Sequence, residues 1–391
     1  MTLLFHQLGH NYCWNIDSLT DGIGDGVIIG PRYIERTKVV SLPAEIRQNA
    51  IFDPQFYLPN SSSGHLPTYP FFPQVVAGGF STTDWNGELA HESATRCLTF
   101  QADCDFKYII IPTRYTAGMP SDYIESQNNL FVEPFLKSYG EQKIDKPCLL
   151  QIILTDQMFK DDKYRRDILN WVTGITEIEG VYLIYPWPSK RKQIDDIDFL
   201  ISVMSFIHSL KIAGMTVIVG YVNTESIIYL AAEPDAITMG SYENLRMFGL
   251  LPYQPKEDRK MQGPTPRIYV SRLLQWIEYQ YIGAIIRSSK DGEAIFDDTE
   301  HKIIMFQPTY NWHFSKPDPY KHYFISFSRQ FQRLISYNRH DRYEAIRSEL
   351  QCAIRNFQTF DDSGIIFNLD SSGAHLAPWL TALNQFEKTL L

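Results

Sequence analysis

Short apolar, β-branched runs recur along the chain as far as about residue 240, and amphipathic segments separate them. The runs lie at 27–29, 50–52, 108–111, 149–154, 181–185, 216–221 and 236–239, with 267–270 as a weaker eighth. Near-continuous apolarity marks a strand of a parallel sheet, because helices cover both of its faces. Between the runs, 167–176 places Ile168, Leu169, Val172 and Ile175 on one helical face. The segment 197–213 does the same with Leu200, Val203, Met204, Ile207 and Leu210, and Gly214 follows as a helix stop.

Such alternation predicts βαβ units with right-handed crossovers. Seven or eight of them predict a closed (β/α)8 TIM-like barrel in preference to an open doubly wound sheet. The Gly-rich stretch Gly22-Ile23-Gly24-Asp25-Gly26 precedes the first run, whereas a dinucleotide fingerprint follows its strand. Past residue 290 helical spacing takes over, as in Phe324, Phe327, Phe331 and Leu334, then Tyr343, Ile346, Leu350 and Ile354, then Leu376, Trp379, Leu383 and Phe386. The expected organisation is a barrel domain over 1–290 and a mainly helical C-terminal module over 291–391, with one short strand at 364–367. Pro-rich stretches at 59–73 and 252–266 read as long loops at strand ends, where barrels keep their sites.

Charge narrows the function classes. The net charge of −9 repels phosphate backbones and argues against a non-specific nucleic-acid binder. Between Lys321 and Arg355, however, seven Lys/Arg face three Asp/Glu, interleaved with aromatics. The segment 321–357 is therefore a candidate surface for a protein or nucleic-acid partner, against the plainer reading of a solvated helix face. Five cysteines, odd in number and without a CxxC pair, predict a reducing compartment, hence a cytoplasmic protein. The N-terminus lacks a signal-peptide pattern and no apolar run approaches a membrane span. The supply of aromatic residues leaves room for a homo-oligomer.

In a barrel the residues just past each strand converge on one mouth. Those positions hold Arg32, Asp53, Gln55, Arg114, Asp156, Trp187, Asn223, Glu225, Glu243 and Arg246. Asp53, directly after a buried-strand run, is the sharpest candidate for a nucleophile or charge stabiliser, although an Asp-Pro turn also has a structural use. Glu225 and Glu243 are candidates for acid and base. The competing readings are a first-turn helix glutamate for Glu225 and a Glu243–Arg246 pair one turn apart. Arg32, Arg114 and Arg246 suit an anionic group, with Gln55 and Asn223 as further polar contacts. Tyr185, Trp187 and Tyr221 suit stacking on a ring.

His6, His10 and Cys13 have a spacing that shares one helical face, but Gly9 and Asn11 break helix character and no fourth ligand is evident. Neither a metal nor a cofactor is expected, since HExxH, P-loop and GxSxG motifs are also missing. Together these residues point to a cofactor-independent barrel enzyme. It would cleave or transfer a glycosidic bond in a phosphorylated sugar or nucleotide-type substrate, with a small anionic substrate at the mouth. The alternative is a non-catalytic barrel scaffold within a larger assembly. An Asp at a strand end resembles, at fold level, barrels of the tRNA-guanine transglycosylase type. The Gly-rich motif accompanying that Asp and a Cys-rich zinc site near the C-terminus are missing here, and no residue role carries over.

Overall fold

The computed structural model describes residues 2–58, 64–72, 87–254, 263–290 and 292–390, so the expected loops at 59–73 and 252–266 fall partly outside the described residues. Eight strands form one sheet: β1 Leu3–Gln7, β2 Gly26–Ile29, β3 Ala50–Phe52, β4 Ile109–Ile111, β5 Cys148–Ile153, β6 Gly180–Ile184, β7 Thr216–Val219 and β8 Ala236–Gly240. Their order is β3-β2-β1-β8-β7-β6-β5-β4. Every neighbour pair is parallel. A parallel bridge between Ile51 and Tyr108, beside a Lys107 N–H to Ala50 carbonyl bond of 2.9 Å, brings β3 against β4 and closes the ring. The architecture is the expected barrel.

Its composition differs from the expected one at one strand. The run at 267–270 lies outside the barrel. It forms β9 (Arg267–Val270), paired antiparallel with β10 (Gln275–Glu278) in a separate hairpin where Arg267 meets Glu278 at 2.9 Å. The missing barrel strand is β1, which lies between β2 and β8. Leu3-Leu4-Phe5-His6-Gln7 has no β-branched residue and ends on two polar ones, so it lacks the signature of the other strands. Both polar residues are nevertheless fully buried. No strand forms at 364–367.

The helices on the outside follow the sequence pattern. They include α1 (Cys13–Thr20), α2 (Gly87–Asp103), α3 (Glu133–Gln142), α4 (Asp162–Thr173) and α5 (Ile197–Ile212). Asp161 and Asp196 cap α4 and α5 by accepting backbone N–H bonds in the first turn, and Gly214 takes φ +79° after α5. After the hairpin come α6 (Tyr279–Ser288), α7 (Asp318–Ile335), α8 (Arg339–Asp362) and α9 (Leu376–Thr389). α7 completes the outer layer beside β1, with the Phe324 ring edge-on to His6 at 4.8 Å and Tyr320 stacked on Trp14 at 5.5 Å. α9 docks on the loop before α5, where the buried Trp379 donates its indole N–H to the Ile194 carbonyl at 2.6 Å. No helix among the described residues is long and apolar enough to cross a membrane.

Because β1 sits inside the ring, its core side chains are as critical as those of the more obvious strands. Phe5 is fully buried, and Gly26 opposite leaves the space its ring fills. Phe5→Ala is expected to cost about 3–5 kcal/mol in a urea unfolding curve. A loss below about 1 kcal/mol would place the N-terminal segment outside the barrel.

Candidate functional site

Strand alternation turns a set of polar side chains toward the C-terminal mouth. Gln7 ends β1, Gln151 interrupts the apolar β5, Tyr182 lies in β6, and Asp53 follows β3. Asp53 is fully buried. One carboxylate oxygen accepts the Gln55 backbone N–H at 3.1 Å and the Gln151 amide N–H at 3.0 Å. The other accepts a short bond from the Tyr57 hydroxyl and a longer one, 3.4 Å, from Tyr182.

Gln55 reaches back over this carboxyl because its φ is +58°. Its side-chain oxygen accepts the Arg32 N–H at 2.9 Å, and its amide donates to Tyr221 and Tyr253 at 3.1 and 3.0 Å. Tyr221 also has a positive φ, +56°. Such backbone conformations are costly for non-glycine residues and gather at functional sites. Two glycines make the room. A Cβ on Gly30 would strike the Gln55 amide, and one on Gly220 would strike the Tyr182 ring.

Aromatic rings cover the cluster. Phe248 lies 4.8 Å from Tyr57 and 5.1 Å from Tyr221, Tyr253 lies 4.9 Å from Tyr57, and the Arg32 guanidinium sits 5.5 Å over Tyr253. The Phe248 carbonyl accepts the Trp187 backbone N–H at 2.7 Å, which pins the cover to the end of β6.

Burial decides the electrostatics. It raises the Asp53 carboxyl to about 7, and the bonds from Tyr57, Gln55, Gln151 and Tyr182 only partly oppose it. No lysine or arginine among the described residues pairs with this carboxyl. Glu225 is a second fully buried carboxyl, raised by burial to about 7. It forms its own network. Oε1 accepts the Tyr185 hydroxyl and the Asn223 N–H, both at 3.0 Å, Tyr229 meets Tyr185 at 3.1 Å, and Oε2 has no hydrogen-bond partner among the described residues. Among the described residues no hydrogen bond joins the Asp53 and Glu225 networks.

The remaining strand-end residues have other partners. Glu243 pairs with Lys192 at 2.5 Å and not with Arg246; burial pushes its carboxyl up, but Lys192 together with the more distant charges of Arg246 and Arg267 holds it below its ordinary value. Arg246 bonds the Gly240 and Ser241 carbonyls at 3.1 and 2.9 Å and stacks on Trp276 at 3.9 Å. Arg114 lies over Phe131 at 5.2 Å, with burial lowering its guanidinium to about 10. Arg32, Arg114 and Arg246 thus rest on different rings. The Asn223 amide donates to the Lys192 carbonyl at 3.0 Å, the Trp187 indole to the Arg191 carbonyl at 2.7 Å, and Asp156 pairs with Lys160 at 2.8 Å.

His6 lies in a strand, so the helical geometry that would join it to His10 and Cys13 does not form. Its ring meets the Ile23 carbonyl at 2.7 Å and the Asn15 amide at 3.1 Å, and burial lowers it to about 4. Several cations of 321–357 are engaged by carboxylates: Lys321 by Asp17 at 3.2 Å, Arg333 by Glu349 at 2.7 Å and Arg347 by Glu387 at 2.5 Å. Gln7, Tyr57, Gln151, Tyr182 and Tyr253 were not among the expected site residues. Gln151 carried a usable signal, a lone amide inside an otherwise apolar buried run.

No protein-family model and no curated protein matches the chain. Among solved structures it is similar to an L-ribulose 3-epimerase, with 9% identity over 86% of this chain and 99% of that one, at a TM-score of 0.37. It is also similar to dihydrodipicolinate synthase from Oceanobacillus iheyensis, with 10% identity over 99% of this chain and 96% of that one, at a TM-score of 0.32. Likeness at this level says nothing of substrate or reaction.

The Asp53 carboxyl makes stability depend on pH with a definite sign. In the unfolded chain it ionises near the ordinary 3.8, whereas in the folded barrel it keeps its proton to about 7. Folding therefore takes up a proton between those values, and the stability held by the protonated group is lost as pH rises through them. Relative to wild type, Asp53→Asn is expected to gain stability steadily from about pH 4 to about pH 7 and then level off, as read by urea unfolding across pH. A variant whose stability relative to wild type stays flat over that range would show an Asp53 already ionised in the fold.

Proposed function

We propose that the barrel is an enzyme that cleaves or transfers a glycosidic bond of a sugar-bearing small molecule, with Asp53 as its proton-transfer group. The observation that carries this reading is a carboxyl buried at the C-terminal mouth, held by neutral donors, without a cation, and titrating at about 7. An apolar residue would fill that position at less cost, and this end of a barrel is where catalytic groups stand.

The chemistry follows from the titration. A carboxyl poised near neutrality gives its proton to a departing sugar oxygen or ring nitrogen. Water or an acceptor hydroxyl then adds to the oxocarbenium-like carbon and gives its proton to the carboxylate left behind, which restores the acid. The Gln55 and Gln151 amides and the Tyr57, Tyr182 and Tyr221 hydroxyls match sugar hydroxyls. Phe248 and Tyr253 offer ring faces, and Arg32 at the rim suits a phosphate. Glu225 is the second carboxyl available to the scheme. Substrate entry requires Phe248 and Tyr253 to move off Tyr57.

That closed cover is also what favours a second reading, a barrel that serves as a scaffold without catalysis. The two separate in one experiment, with O-glycosides, nucleosides and their phosphates offered to wild type and Asp53→Asn. The enzymatic reading expects turnover by wild type with an inflection in kcat/KM near pH 7. It expects Asp53→Asn to fall by about 10²–10⁴-fold. Equal turnover by the variant contradicts the role of Asp53, and no turnover by wild type leaves the scaffold.

A further inference from the structure

Beside the mouth, the turn after β8 meets the β9–β10 hairpin around a cavity of about 30 Å³ whose walls include Glu243, Arg246, Arg267, Trp276 and Tyr320. Three buried side-chain nitrogens of these residues have no acceptor among the described residues: Arg246 Nε, Arg267 Nε and Trp276 Nε1. All three are donors. Unpaired buried donors are rare, and each costs stability until something accepts from it.

Charge points the same way. Arg246 is buried, and both of its hydrogen bonds leave Nη1 for backbone carbonyls. It has no carboxylate within ion-pair distance among the described residues. The other charges on the wall are matched. Glu243 is held by Lys192 at 2.5 Å, and Arg267 by Glu278 at 2.9 Å and the partly exposed Asp370 at 3.4 Å. Trp276 lies flat under the Arg246 guanidinium at 3.9 Å, which fixes the fork in place.

We propose that this cavity is a binding site for an oxyanion, the phosphate or carboxylate group of a small molecule. Such a group accepts from all three donors at once and supplies the close ion-pair partner that the buried guanidinium lacks among the described residues. Water is the poorer occupant, because it brings two hydrogens that need acceptors of their own. The volume admits only the head of a ligand, so its body lies outside, past the exposed Thr265 at the rim. No lining residue bonds to Asp53, and the inference does not rest on the glycosidic reading.

Thermal unfolding and calorimetric titration of the full chain test it, with sodium phosphate, sodium benzoate and sodium chloride at matched ionic strength. Phosphate or benzoate is expected to raise Tm above the chloride control, and whichever does so identifies the head group. Thr265→Glu sets a carboxylate at the rim of the cavity and is expected to abolish the response while folding normally. Trp276→Phe keeps the ring, loses one donor and is expected to bind about tenfold more weakly. The site is refuted if neither anion exceeds chloride on the wild type, or if Thr265→Glu responds as the wild type does.

Discussion

A carboxyl that has lost its water without gaining a cation must be held by neutral donors or give up its charge. Asp53 meets both conditions at the barrel mouth, and much of the local structure follows from it. Gln151 and Tyr182 project from β5 and β6 to reach it, and Tyr57 returns from the loop after β3. Gln55 accepts a left-handed backbone to add its own N–H. Gly30 and Gly220 keep clear the volume that Gln55 and Tyr182 occupy. Phe248 and Tyr253 then exclude the water that would restore an ordinary carboxylate.

Glu225 repeats the theme with different partners. It is as deeply buried and also raised to about 7, yet it is served by Tyr185 and the Asn223 N–H, with Tyr229 bonded to Tyr185 behind it. Glu243, on the far side of β8 in the chain, has Lys192 beside it and is held below its ordinary value. Buried carboxyls in one chain are thus shifted in opposite directions, and the cation bonded directly to Glu243, Lys192, has no counterpart on Asp53 or Glu225 among the described residues. Arg246 is the converse case, a buried cation whose fixed partners are carbonyls and an indole face.

The barrel was legible because seven of its strands are apolar runs between amphipathic helices, and burial on both faces leaves that trace in any sequence. β1 was not, since His6 satisfies its polarity through partners that no local pattern reveals, and Gln7 is buried with its amide unpaired among the described residues. The run at 267–270 misled for the opposite reason: apolar content marks a buried strand but not the direction of its neighbour, here the antiparallel β10. In the site, Asp53, Gln55 and Tyr221 could be read from their places at strand ends. Gln151 and Tyr182 lie within strands, and Tyr253 comes from a distant segment, so only folding brings them together. Glu243 and Arg246 stand one turn apart but take other partners, Lys192 for one and Trp276 for the other.

Burial among neutral groups in the barrel lets Asp53 hold its proton up to about pH 7. A ¹³C NMR titration of the side-chain carboxyl carbons, with Asp53 assigned by its absence from Asp53→Asn, measures this directly. The account gives Asp53 a midpoint at about 7. A midpoint near the usual carboxylate value of about 4 would mean that the carboxyl is solvated or ion-paired, and would contradict the account.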